Sequence, residues 1–280
     1  MSVGSNPTVP RRRLRAELRS GRVSAELTQQ QVADAMDWSL SKVIRIENGS
    51  VAISANDLRA LLQLYGMADR ADELVDVARE ARERSWWSQY RGIASSALIQ
   101  YIEFESAAST VRSFQPLLVP GLLQTPDYAR AVFGGFAPEH MVEDLIKVRL
   151  KRQELLRRTK PPTLYNVVDE GVVRHLVGGP AVMRNQLQHL ADLASRPNIT
   201  LAIVPFAAGV HPAMRSPFVI LEFPDAQDDD VLYLENPNGD VTDRDDTDEV
   251  ARFAEAFEEL NMLALSPQES IGYLRTLAGD

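Results

Sequence analysis

The alternation of apolar and polar positions divides the chain into a helical first third and a later section that includes strand-length runs. Val32, Ala33 and Met36 recur at helical spacing behind Thr28, which predicts a short capped helix over 28–36. A second helix is predicted to start at Ser39 and reach 48, with Val43 and Ile46 inward. Offsets of three and four share a helix side and offsets of two do not, so Leu40, Ser41, Lys42 and Arg45 point away from the Val43/Ile46 face. Two short helices meeting at a tight turn are the plan of a helix-turn-helix, whose second helix fits the DNA major groove and offers side chains to base edges.

The flanking pattern extends this unit. Residues 1–10, with Gly, Ser, Asn and two prolines, are expected to be disordered. A helix over 11–24 offers Leu14, Leu18 and Val23 to a core, and Asn48-Gly49 ends the 39–48 helix with residues that tolerate a left-handed backbone. Ser54 caps a helix whose Leu58, Leu61, Leu62 and Tyr65 share one side, and a fifth helix runs from near Asp69 toward Gln89.

From Trp86 the pattern changes to helical runs broken at Gln115-Pro116 and Pro120-Gly121, followed by a Thr125 cap with Pro126 in the first helical position. A helix is predicted over 138–158 and another over 180–194. TLYNVVDE, ITLAIVPF, PFVILEF and DVLYLEN have strand length and β-branched or aromatic composition, and helices near 247–264 and 267–277 close the chain. The predicted class is mainly α and α+β overall. A five-helix DNA-binding domain at 11–85 precedes an α+β regulatory domain at 86–280 with a small mixed sheet, one crossover helix and an antiparallel pair.

Composition adds limits. At 280 residues the chain has length for two cores. The absence of cysteine excludes disulfides, thiolate metal sites and cysteine nucleophiles. No apolar run has the length of a membrane span or of a signal peptide's apolar region, so a cytoplasmic protein is expected. The net charge of −9 argues against nucleic acid until it is divided. Through Gly66 nine basic residues face six acidic ones, a local balance of +3 that leaves −12 for the remainder.

The first unit resembles the Cro/C1-type (XRE-like, lambda-repressor-like) helix-turn-helix domain from about Leu14 to Met67, through T-Q at 28–29, S-x-S-K-V at 39–43 and R-I-E-N-G at 45–49. The resemblance implies that Gln29 and Asn48 meet backbone phosphates, that Leu40, Ser41, Lys42 and Arg45 face bases, and that Arg22 pairs with Glu47. Asp37 and Glu26 stand where the family commonly has glycine, and Ile44 replaces a small polar residue, to contact a thymine methyl or to pack. The remainder resembles a domain of unknown function that follows such units in actinobacterial, WhiJ-like, antitoxin-like regulators. WWSQYR, PLLVPGLLQTPDYAR, RLKRQELL, VVDEGVVRHLVGGPAVMRNQL, HPAMRSPFVILEFP, VLYLEN and ALSPQES carry that likeness. It implies a regulator encoded beside a small partner protein, and assigns no ligand residues.

Other chemistry has weaker signals. His140, His175, His189 and His211 fit no metal spacing, and the acidic runs at 228–230 and 243–249 lack the register of a calcium loop, so no metal is expected. Gly178-Gly179-Pro180 reads as an ordinary helix start, and no serine lies in a G-x-S-x-G setting, so no catalytic residue and no cofactor are expected. Trp86, Trp87 and Tyr90 read as core packing ahead of a cage or interface. The expectation is a homodimeric, sequence-specific transcription regulator of double-stranded DNA, not an enzyme. Two forms of control stay open: a small protein partner, or a small-molecule effector held in the C-terminal domain.

Overall fold

The computed structural model describes residues 7–49, 51–82, 86–90, 92–224, 229–235, 241–244 and 247–279, and the chain divides into two compact units, 1–88 and 89–280. The first unit holds five α-helices among its described residues: α1 (Thr8–Ser24), α2 (Gln29–Ala35), α3 (Leu40–Glu47), α4 (Ala55–Leu64) and α5 (Ala71–Glu80). Each of the three middle helices begins where a hydroxyl satisfies an otherwise unpaired amide. Thr28 accepts from the Gln31 amide while the Gln31 side chain answers the Thr28 amide, Ser39 accepts from Lys42, and Ser54 accepts from Asp57. Leu14 and Leu18 of α1, Val32 and Ala33 of α2, Val43 and Ile46 of α3, and Leu58, Leu61 and Leu62 of α4 close into one core with Leu74 of α5.

Three expectations for this unit need correction. The first helix begins at Thr8 rather than near Arg11, so of the stretch expected to be disordered only 1–6 lies outside the described residues. Val23 is 60% exposed, because Leu14, Leu18 and Gly21 hold the buried side of α1 and Val23 falls off it. The fifth helix stops at Glu80, and Trp86–Tyr90 forms a separate 3-10 turn in which Trp87 is buried and meets Trp86 edge to face.

The second unit alternates helices and strands: α6 (Ser96–Ala107), β1 (Thr110–Gln115), α7 (Pro126–Phe136), α8 (Glu139–Gln153), β2 (Thr163–Asp169), α9 (Glu170–Arg174), α10 (Pro180–Ala194) and β3 (Ile199–Val204). It continues with β4 (Phe218–Glu222), β5 (Val231–Glu235), β6 (Val241–Arg244), α11 (Thr247–Leu263) and α12 (Pro267–Ala278). The sheet is mixed, in the order β3-β2-β1-β4-β5-β6. β1, β2 and β3 run parallel, and β4, β5 and β6 continue antiparallel from β1. One face of the sheet, with Phe114, Val167, Ala202, Phe218 and Leu232, packs on Phe257 and Leu260 of α11. Thr125 caps α7 with Pro126 at its first turn, and α8 gives way to a 3-10 turn at Glu154–Arg157.

The sheet therefore has two strands more than the four apolar runs suggested. β1, expected to be helical, is one of its two central strands, with a sequence, TVRSFQ, that reads as polar. Its polar side chains find partners only across the sheet and its helical cover. Arg112 binds Glu222 of β4 at 2.5 Å and Glu258 of α11 at 2.7 Å, and the Ser113 hydroxyl donates to Asn166 of β2 at 2.9 Å. With those partners the strand meets the requirement that buried polar groups be hydrogen-bonded.

Two further devices hold the helical cover. The irregular segment between β1 and α7 has its carbonyls satisfied by amides: Gln124 donates to Val119 O, Gln153 to Gly121 O and Gln124 O, and the fully buried Gln186 to Leu123 O. Glu170 sits at the end of β2, where burial pushes its carboxyl up. Donation from Tyr273, the Phe206 amide and Arg174 outweighs that and holds it below the usual carboxylate range.

Candidate nucleic-acid interface

The turn between α2 and α3 is built from backbone bonds that reverse the chain within four residues. Met36 donates to Val32 O and Trp38 to Ala33 O, and Asp37 takes a left-handed φ of 53°. Glu26, ahead of α2, has φ 56°. Both residues that replace a common glycine thus occupy glycine-like backbone, where an L side chain costs about 1–2 kcal/mol. After subtracting the greater unfolded freedom of glycine, Glu26→Gly/Asp37→Gly is expected to gain roughly 1 kcal/mol or more. Denaturant titration of the double variant measures this, and a loss of stability contradicts the strain.

Helix α3 stands on Val43 and Ile46, both nearly inaccessible, and turns its other side to solvent. Leu40 and Ile44 remain 38% and 40% exposed, and Ser41 and Arg45 are exposed. The Arg45 side chain makes no hydrogen bond or ion pair with the described residues. Lys42 is different: its ammonium lies 3.2 Å from Asp57 Oδ2 and 3.7 Å from the centre of the Trp38 ring. Lys42 therefore reaches a base only by leaving an acid and an aromatic face.

Behind α3 a buried ion pair ties α1 to it. Arg22 Nε donates to Glu47 Oε1 at 2.6 Å, Arg22 Nη2 to Glu47 Oε2 at 3.3 Å, and Arg22 Nη1 to Leu27 O at 2.9 Å. The Glu47 carboxylate raises the Arg22 pKa through the hydrogen bond, against the lowering effect of burial. The Tyr65 phenol is pushed up mainly by burial and then by Glu47. The Gln29 amide donates to Glu47 Oε2 at 2.8 Å, so the side chain expected to meet a phosphate is held in place by the pair. Asn48 is exposed just past the end of α3.

A groove of about 540 Å³ opens beside these residues, walled by Arg15, Arg19 and Arg22 of α1 and by Gln29, Ile44 and Asn48. Ile44 lines it from the outward side of α3 and is not part of the core. Arg15 and Arg19 were legible only as charges of a basic helix; their spacing of four with Arg22 three further on is the pattern that places all three on one side.

A model of the domain of unknown function DUF5753 matches residues 98–276, more than half of the chain. The chain belongs to the DUF5753 family. A model of a helix-turn-helix domain matches residues 13–76, which covers all of α2, α3 and α4. The protein is thus a helix-turn-helix DNA-binding regulator whose second unit is a DUF5753 domain. No curated protein and no solved structure matches it. Among the described residues no helix is long and apolar enough to cross a membrane, and no three His, Asp or Glu side chains form a metal-sized group.

Proposed function

We propose that this protein is a cytoplasmic, sequence-specific transcription regulator that binds operator DNA as a homodimer, with α3 of each protomer in successive major grooves. Leu40, Ser41, Lys42 and Arg45 face the bases, and Gln29 and Asn48 meet phosphates on either side. The observation that carries this reading is the exposed Arg45 guanidinium, unpartnered among the described residues, on a capped helix whose opposite side is buried. Arginine reads guanine through O6 and N7, a contact worth about 1–3 kcal/mol of discrimination. Arg45 is the stronger candidate for that contact, since Lys42 is engaged by Asp57 and Trp38. The resemblance to Cro/C1-type units supports the base-facing assignments, and the resemblance to WhiJ-like, antitoxin-like regulators supports control of DNA binding by a small protein partner docking on the DUF5753 unit.

Fluorescence anisotropy over a series of base-substituted duplexes tests the reading. Arg45→Ala is expected to lose about 5- to 150-fold of discrimination at one position of each half-site, while Gln29→Ala weakens binding to every duplex alike. Equal losses on all duplexes for Arg45→Ala remove the base-reading role. Sedimentation of the protein with and without operator tests the dimer, and co-purification with the product of an adjacent gene tests the partner.

A further inference from the structure

The groove beside α3 holds more positive charge than the fold uses. Of the arginines on α1, Arg22 is neutralised by Glu47, Arg13 binds Glu73 at 2.6 Å, and Arg11 donates to Ala81 O. Arg15 and Arg19 are exposed, four residues apart on one side of the helix, and neither has a hydrogen bond or ion pair to the described residues. Like charges at that spacing repel, so the folded chain gains nothing from holding them together. The stem of Arg15 is nonetheless placed. A Cβ added at Gly49, whose φ is +75°, would lie 2.8 Å from Arg15 Cδ, so the bare backbone of that turn is the bed on which the side chain rests. Asn48, next to Gly49, lines the same groove as Arg15.

We infer that Arg15 and Arg19 form, with Gln29 and Asn48, a cradle for the phosphodiester backbone of duplex DNA. This rests on the proposed DNA reading and adds to it two contacts from α1. Guanidinium forks match the paired oxygens of a phosphodiester, and both arginines line the groove of about 540 Å³. The carboxylate of Glu47 also lines the groove, but Arg22 and Gln29 occupy its oxygens, so the net field at the mouth is positive. Ile44, which shares the groove wall, belongs to the outward side of α3. A duplex that receives α3 in its major groove therefore brings one rim of that groove against Arg15 and Arg19.

The test uses the full chain and two probes of equal length, a duplex selected by the wild-type protein from a random pool and a shuffled duplex, titrated over a range of potassium chloride. Arg15→Gln/Arg19→Gln is expected to weaken binding to both duplexes by the same factor. It should also flatten the slope of log K against log salt by roughly 1 to 2, since each neutralised phosphate contributes about 0.9. Arg15→Lys/Arg19→Lys is expected to keep the slope. Unchanged slope and affinity in the glutamine variant, with Arg45→Ala still losing discrimination, overturn the cradle and leave the DNA reading standing. A loss confined to the selected duplex also overturns it, and a wild-type protein that binds no duplex sinks both.

Discussion

Glu47→Ala is expected to destabilise the first unit by about 3–5 kcal/mol, because it leaves the Arg22 guanidinium in the interior without its counter-charge. The side chains of Arg22 and Glu47 are only 14% and 6% exposed, so solvent does not take over the role of the missing carboxylate. Three connections fail together: α1 loses its tie to α3, Gln29 loses its acceptor, and Arg22 keeps only the Leu27 carbonyl. Arg22→Met/Glu47→Leu is expected to restore most of that stability, since replacing both members of a buried pair by apolar residues of similar size is often neutral. The restored variant still lacks the group that positions Gln29, so its affinity for all duplexes should stay low. Hydrogen exchange resolved by peptide, with anisotropy on the same samples, separates the two effects. A double variant no more stable than Glu47→Ala would refute the account.

An equally large loss is expected in the second unit from Glu105→Ala. Arg152 Nε and Nη2 donate to the two oxygens of Glu105 at 2.8 and 2.7 Å, joining α8 to α6, and the two side chains are 6% and 2% exposed. Burial lowers the Arg152 pKa, but the charge and hydrogen bonds of Glu105 more than reverse this, and the guanidinium also lies 5.1 Å from the Tyr101 ring centre. Tyr101 in turn has its phenol pushed well up by burial and then by Glu105, and packs on Tyr233 of β5 at 4.1 Å. Removing the carboxylate strands a cation in an apolar and aromatic setting, at about 3–5 kcal/mol. Glu105→Gln keeps one acceptor and should lose less. Denaturant titration with hydrogen exchange over 96–169 reads the difference, and equal stability of Glu105→Ala and the wild type would place the pair outside the cooperative core.

These two pairs have different histories in the sequence. Arg22 and Glu47 were paired through the likeness to Cro/C1-type units, and the structure places them together. Nothing in the spacing of Glu105 and Arg152 relates them, since they lie 47 residues apart on separate helices, with β1 and α7 between them in the chain. The same contrast separates strands. β2, β3, β4 and β5 were legible because burial on the sheet demands apolar runs, whereas β1 was hidden because Arg112 and Ser113, in the middle of its six residues, are polar groups answered from β2, β4 and α11.

What the sequence determined by itself is whatever depends on neighbours within a turn or two. The caps at Thr28, Ser39 and Ser54 and the inward pairs Val32/Ala33 and Val43/Ile46 are of this kind, whereas Glu26 and Asp37 were singled out only by the likeness to Cro/C1-type units, and their left-handed backbone was seen in the structure. Local hydrogen bonds and helical periodicity specify the caps and the inward pairs without reference to any distant residue. Tertiary structure alone decided that Lys42 is held by Asp57 and Trp38 while Arg45 is not, and that Arg15 and Arg19 wall one groove with Gln29 and Asn48. It also decided that a polar hexapeptide lies at the centre of the sheet. In each case the free energy of a charged or polar side chain is set by what stands opposite it, and the opposite group comes from a distant part of the chain.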